Sequence, residues 1–343
     1  MSYQYVLDIN SLPENTPVKV EVAGTAMILI RTLTQVRAFQ SKCPHAGAPL
    51  EKGAVCEGRL VCPWHKAEFD IKNGQWLEPL ALTSLKQYPV LLEQNRVLVN
   101  PRPMSPASRP LIRGEQEQTT VILGTGAAGS SAAITLRDSG YAGRLILIDK
   151  EQDAPYDRTA LSKFVPAGKM KISDVPHVLD DAFYQQPGVE SLREEVADLN
   201  SRERFLTLSN GQTLHFDKLL LATGGQPLCP DIEGNHLSGV HVLRDLHQAR
   251  QLLSDVEQEH QLVIIGNSFI AMELAAALRN QDIDVTVVSR HELPFVPQFG
   301  EEMGQHFLNM HKQNGVKFVT GEPAALEGCL LYTSPSPRDR SVS

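Results

Sequence analysis

The sequence predicts a multidomain chain: an N-terminal all-β domain followed by α/β domains. Three observations predict it. Two short arms, Cys43-Pro-His45 and Cys62-Pro-Trp-His65, lie sixteen residues apart among short apolar and β-branched runs. Two later stretches each read as strand, glycine-containing turn and helix. Between these regions, residues 101–118 carry four prolines with serines and charges, the composition of an exposed linker.

Val18 to Val22, Ala26 to Arg31 and Gln35 to Gln40 read as strands of the first domain. Asn73-Gly74, between Glu68–Lys72 and Gln75–Leu77, signals a hairpin. Val90–Leu92 and Arg96–Val99, joined through Glu93-Gln94-Asn95, signal another. No long helical pattern interrupts residues 1–100, so the domain is expected over 1–103, with a linker over 104–118.

The two arms offer two thiolates and two imidazoles to one metal site. Zinc accepts that donor set. A zinc finger usually places both Cys on one arm and both His on the other, whereas here each arm carries one of each and both read Cys-Pro. That pattern resembles the Rieske [2Fe–2S] domain. The resemblance implies Cys43 and Cys62 on one iron and His45 and His65 on the other, at a tip of a small antiparallel domain. Gly47, Pro49 and Gly53 suit a tight loop whose amides reach cluster sulfurs. Trp64 is expected to shield the cluster, and Cys56 to be a spare buried thiol. Ala48 and Trp64 stand where mitochondrial-type Rieske proteins carry an extra disulfide, so the ferredoxin type is expected.

From 119 the hydrophobic period changes. Thr119–Leu123 is an apolar strand, Gly124-Thr-Gly126-Ala-Ala-Gly129 follows, and Ser130 to Asp138 reads as a helix. Arg144–Ile148 is the next strand, ending at Asp149. In this context the glycine pattern reads as a Rossmann-like dinucleotide turn: glycines let backbone approach a pyrophosphate, the helix start offers free N–H groups, and Asp149 can bind ribose hydroxyls. A second unit runs Val263-Ile-Ile-Gly266-Asn-Ser268-Phe-Ile-Ala271-Met-Glu273, with a helix to about Asn280 and a strand at Asp284–Val288. Ser268 and Ala271 replace the usual glycines. After that strand, Arg290 favours the 2′-phosphate of NADPH, while Glu292 can serve as the acid for NADH.

Pro155-Tyr-Asp-Arg-Thr-Ala-Leu-Ser-Lys163 and Leu219-Leu-Leu-Ala-Thr223-Gly224-Gly225 carry a further resemblance, to FAD-dependent ferredoxin reductases and apoptosis-inducing-factor-like oxidoreductases. Thr159 and Ala160 depart from the family's prolines. The resemblance covers residues 1 to about 328 and includes family members with an N-terminal Rieske domain. It implies FAD contacts at Gly124, Gly126, Gly129, Asp149, Arg158, Lys163, Val196, Thr223 and Gly224, and NAD(P)H contacts at Gly266, Ser268, Ala271 and Glu273. It also implies a Lys163–Glu273 ion pair beside the flavin ring. An FAD-binding segment over 119–243 and an incomplete NAD(P)H domain over 244–328 are expected.

The chain has 343 residues, with 42% hydrophobic and 21% charged residues, as in ordinary globular proteins. Net charge is −8, from 32 basic and 40 acidic residues, which argues against nucleic acid as a partner. Five cysteines make no disulfide framework, and thiolate ligands suit a reducing, cytoplasmic compartment. No signal or transit peptide and no membrane-spanning apolar run is read. The tail from Cys329 onwards departs from the family and resembles a translated sequencing adapter, so residues 329–343 are expected to be non-native and the gene cut short.

The leading expectation is a reductase passing electrons from NAD(P)H through FAD to a fused Rieske cluster and on to an acceptor protein, an oxygenase or a small electron carrier. The alternative is an NADH-responsive redox sensor without steady turnover. A disulfide reductase needs a Cys pair, and residues 150–200 contain no cysteine.

Overall fold

The structure is a computed structural model that describes residues 3–33, 35–78, 80–81, 83–104 and 118–327. Most of the expected linker and all of the expected non-native tail lie outside the described residues. The chain divides into two compact units. One comprises Met1–Lys150 and Asp181–Ala222, the other Glu151–Asp180 and Thr223–Ser343.

The first unit begins with ten short strands: β1 (Gln4–Asp8), β2 (Val18–Val22), β3 (Thr25–Arg31), β4 (Val36–Gln40), β5 (Ala54–Cys56), β6 (Arg59–Val61), β7 (Glu68–Asp70), β8 (Gln87–Tyr88), β9 (Val90–Glu93) and β10 (Arg96–Val99). They form three sheets, in the orders β2-β3-β4-β8, β1-β10-β9 and β5-β6-β7. All their pairings are antiparallel.

Strand β3 explains how this domain holds its site. Its run Met27-Ile-Leu-Ile30 is fully buried on both faces. Side chains alternate along a strand, so Met27 and Leu29 pack with Leu12, Val22, Val36, Val97 and Val99. Ile28 and Ile30 pack with Phe39, Leu50, Leu60, Phe69, Cys43 and Cys62. One strand therefore serves two cores, and the second core carries both thiols. The expected hairpin at Asn73-Gly74 forms and is short. Gly74 N–H donates to Asp70 O at 2.7 Å, and the bonds from Asp70 N–H to Gln75 O and from Leu77 N–H to Glu68 O, at 2.8 and 2.9 Å, flank the antiparallel Phe69–Trp76 bridge.

The same unit continues with β11 (Thr119–Leu123), α1 (Ala127–Asp138), β12 (Arg144–Asp149), α2 (Asp181–Tyr184), β13 (Val189–Arg193), β14 (Val196–Asn200), β15 (Phe205–Leu208), β16 (Thr213–His215) and β17 (Lys218–Leu221). The order β13-β12-β11-β17 makes a parallel sheet. The antiparallel β14-β15-β16 meander packs Leu206, Leu208 and Leu214 on Val121, Ile146 and Ile148. Helix α1 starts three residues earlier than the sequence pattern predicts, because Gly126 takes the extended N-cap position.

The second unit holds α3 (Leu246–Glu259), β18 (Gln261–Ile265), α4 (Phe269–Arg279), β19 (Asp284–Ser289), α5 (Val296–Gln313) and β20 (Lys317–Thr320). Its sheet is parallel, in the order β18-β19-β20. A 3-10 turn at Arg158–Leu161 buries Ala160 and Leu161 against Tyr156, Val165, Leu246 and Ala249.

Candidate functional site

The two Cys arms adopt the same turn. Cys43 N–H donates to Ala48 O and Gly47 N–H to Cys43 O, at 2.9 and 2.8 Å. Cys62 N–H donates to Ala67 O and Lys66 N–H to Cys62 O, at 2.9 and 3.3 Å. The fifth position of each loop is left-handed, with φ of 74° at Gly47 and 65° at Lys66. Glycine takes that conformation freely, and lysine only under strain. The turns bury both sulfur-bearing side chains, with Cys43 2% and Cys62 1% exposed, and leave His45 and His65 outside. The imidazoles meet edge to face with centroids 4.8 Å apart.

Burial pushes the Cys43 thiol up to about 11; the Cys62 thiol adds to the rise, and the backbone amides of His45 and Ala46 oppose it. Buried thiols of this kind ionise readily only against a metal. The donors thus come as an inner sulfur pair and an outer nitrogen pair. Two thiolates and two imidazoles paired in this way match the donor set of a two-iron cluster, one pair to each iron, so the donor chemistry fits the [2Fe–2S] group, with the His45 and Ala46 amides near Cys43 Sγ to stabilise it.

Two expectations near the loops are corrected. Cys56 is exposed at the end of β5 instead of buried, because the β5–β6 turn carries it out of the core. Trp64 is 56% exposed and lies edge-on to His65, so it borders the site instead of covering it.

In the first glycine turn, Gly124 N–H donates to Ile148 O at 2.8 Å. A Cβ on Gly129 would stand 1.9 Å from Gly124 O, which only glycine avoids. Asp149 Oδ2 accepts from both Thr125 N–H and Thr125 Oγ1, each at 2.7 Å. The acid expected at the ribose thus also braces the turn. Val196 opens β14 at a bulge, and Ala222, just before Thr223, donates to Leu123 O at 2.7 Å.

In the second unit, Arg158 pairs with Glu151 and donates to Arg244 O at 2.8 Å. Tyr156 joins that network: its hydroxyl bonds Glu151 and accepts from Leu246 N–H. Burial first, then the Glu151 carboxylate, holds the Tyr156 phenol well above its ordinary range. Lys163 Nζ lies 3.4 Å from Glu273 Oε1. The two residues expected to meet are thus brought together by a 3-10 turn and the first turns of α4. The second glycine turn places Gly266 N–H 2.7 Å from Val288 O. Ser268 caps α4 by accepting from Ala271 N–H at 3.4 Å. Ser162, which the sequence reading passed over, donates to Glu273 Oε2 at 2.6 Å. Its place inside the Leu-Ser-Lys triplet, next to an expected site lysine, was the available signal.

Fold and site together define a class: an α/β chain with two dinucleotide-type glycine turns, preceded by a small antiparallel domain that carries a paired Cys/His site. The Rieske [2Fe-2S] domain model matches residues 2–89, and the pyridine nucleotide-disulphide oxidoreductase model matches residues 118–328. The chain belongs to the pyridine nucleotide-disulphide oxidoreductase family. Apoptosis-inducing factor 3 of Mus musculus is 30% identical over 325 residues, 91% of this chain and 53% of that protein. The biphenyl dioxygenase system ferredoxin–NAD(+) reductase component of Paraburkholderia xenovorans is 37% identical over 208 residues, 60% of this chain and 50% of its own. Among solved structures, a ferredoxin reductase from Rhodopseudomonas palustris has a TM-score of 0.57 and 28% identity, covering 60% of this chain and 50% of its own. The chain thus spans about half the length of the curated relatives it matches. Among the described residues, no helix is long and apolar enough to cross a membrane.

Proposed function

We propose that the protein draws electrons from NAD(P)H through FAD to its own [2Fe–2S] centre and on to a protein acceptor. The observation that carries this reading is a paired Cys/His site and two dinucleotide turns in one chain. When bound, FAD converts a two-electron hydride transfer into single-electron transfers that a [2Fe–2S] centre carries one at a time.

This chain's own residues do the rest. Cys43 and Cys62 would hold one iron, and His45 and His65 the other. Their exposed rings offer the acceptor its nearest approach. Gly124, Gly126, Gly129 and Asp149 would seat the flavin's phosphate and ribose end. Val196, Thr223, Gly224 and Arg158 would flank it, and Lys163 would stand at its ring, held by Glu273. Gly266, Ser268 and Ala271 would receive the nicotinamide nucleotide. We place the domains at 1–103, 119–243 and 244–328, with a linker at 104–118 and a non-native tail at 329–343. A protein partner that takes single electrons, an oxygenase or a small carrier, suits this plan, and the name of the biphenyl dioxygenase relative supports it. Thiolate ligands suit a cytoplasmic setting.

The test uses anaerobically purified protein: iron, acid-labile sulfide and flavin assays, an absorption spectrum, then NAD(P)H turnover with ferricyanide or cytochrome c. Two irons and two sulfides per chain, flavin bands and steady turnover are expected. Stoichiometric zinc without sulfide overturns the metal assignment. Loaded cofactors without turnover favour the redox-sensor reading.

A further inference from the structure

Glu273 uses both carboxylate oxygens. Oε1 lies 3.4 Å from Lys163 Nζ, and Oε2 accepts from Ser162 Oγ at 2.6 Å. The lysine and the glutamate are partly open to solvent, at 44% and 34% side-chain exposure, while Ser162 is 5% exposed. An open ion pair of two long side chains samples many geometries and has little stability of its own. A short hydrogen bond from a buried hydroxyl to the carboxylate removes much of that freedom.

The hydroxyl is itself fixed. Ser162 closes the 3-10 turn Arg158–Leu161, its N–H donating to Ala160 O. The turn is anchored by Ala160 and Leu161, 1% and 3% exposed, in the cluster around Tyr156 and Leu246. A second tie lies just beyond α4: Gln281 Nε2 donates to Ala167 O at 2.9 Å. Segment 162–167 therefore grips this helix near both ends, and Glu273 near its start faces Ser162 in a set geometry.

We infer that Ser162 is a positioning residue: it locks the Glu273 carboxylate so that the Lys163 ammonium is held at one point. The inference rests on the Lys163–Glu273 pairing proposed above. It divides the Leu-Ser-Lys triplet by role: Leu161 anchors, Ser162 orients the partner carboxylate, and Lys163 presents the charge.

The test needs no loaded flavin. Acetylation of the folded chain by a limiting amine-reactive ester is followed peptide by peptide by mass spectrometry, with Lys169 and Lys171 as internal controls. Ser162→Ala should raise Lys163 labelling about threefold, the size a tethered exposed ion pair supports, with the controls unchanged. Glu273→Gln should raise it at least as much, and the double variant no further, because the serine acts through the glutamate. Ser162→Thr, which keeps the hydroxyl, should restore the slow rate. If Glu273→Gln raises labelling and Ser162→Ala does not, the serine's role is overturned while the ion pair stands. If neither changes it, the pairing falls and the inference with it. A joint rise of all three lysines marks a structural residue and also overturns the inference.

Discussion

The two dinucleotide turns use one plan with different chemistry. Each strand hands its chain to a glycine whose N–H bonds the neighbouring strand, Gly124 to Ile148 O and Gly266 to Val288 O. Each of those glycines has positive φ, 93° and 102°. Beyond that point they part. The first turn closes so tightly that position 129 admits no Cβ, whereas the second carries Ala271 at the matching position, 7% exposed. The first leaves its helix start without a side-chain cap, while the second caps its own helix with Ser268. The first is braced by an acid on the next strand, Asp149. In the second, Ser289 Oγ and Asn267 Nδ2 both donate to His291 O. The difference shows that a dinucleotide turn needs its first glycine for backbone geometry. The later glycines are needed only where helix and strand pack in direct contact or where phosphate must reach bare amides.

The largest effect should come from closing the gap between the two turns. Gly129→Ala puts a methyl into the Gly124 carbonyl, and a loss of more than about 3 kcal/mol with collapse of flavin content is expected. Ala271→Gly, the reverse change, should cost at most about 1 kcal/mol, mainly in helix propensity. Thermal unfolding and the flavin-to-protein ratio check both. Equal losses would break the comparison.

Next in size, Asp149→Ala removes the one oxygen that accepts from both donors of Thr125. A loss of about 1–3 kcal/mol follows from an unmade buried hydrogen bond, read by denaturant unfolding. Pairing the change with Thr125→Val, which removes the hydroxyl that has lost its acceptor, should recover part of it.

The third effect concerns the nucleotide. Arg290 is 72% exposed and lies 3.8 Å from Glu322, a pair loose enough to yield to a phosphate. Arg290→Ala should shift preference from NADPH to NADH by about tenfold, which is about 1.4 kcal/mol. Titration calorimetry with each nucleotide measures it, and an unchanged ratio assigns the choice to Glu292.

The smallest effects sit at the cap. Ser268→Ala should cost about 1 kcal/mol and Ser268→Gly only a few tenths. Both changes remove the Oγ that accepts from the Ala271 amide, so both should tighten NAD(P)H binding. Affinities unchanged from the parent chain would mean that the cap does not compete with phosphate.

Much of the fold was legible. Residues 18–22, 26–31, 90–99, 119–123, 144–149, 261–265 and 284–289 form strands close to where their composition places them. Helix α3 and the 18-residue α5 were not read. Helix α5 holds Gly300 at φ 81° inside it and a proline at its start, which mask the periodicity. The β14-β15-β16 meander was also missed. Its strands are three to five residues long, too short for a period to register, and they exist because Leu206, Leu208 and Leu214 cover the parallel sheet. At the candidate site, the structure sets Cys43 and Cys62 on matching turns and brings the His45 and His65 rings together, an arrangement that type and spacing made legible.

By itself the sequence determined what is local. A left-handed turn at Gly47 and a Cβ-free turn at 129 follow from residue identity, because backbone sterics act over a few bonds. Only the tertiary structure decided what lies between distant segments. It turned alternate residues of β3 toward two separate cores, sent Cys56 outward, and joined Ser162 to Glu273 across 111 residues. Those outcomes depend on which faces are buried together, and a hydroxyl's partner is chosen by the packing that brings an acceptor within about 3 Å of it, not by its own neighbours in the chain.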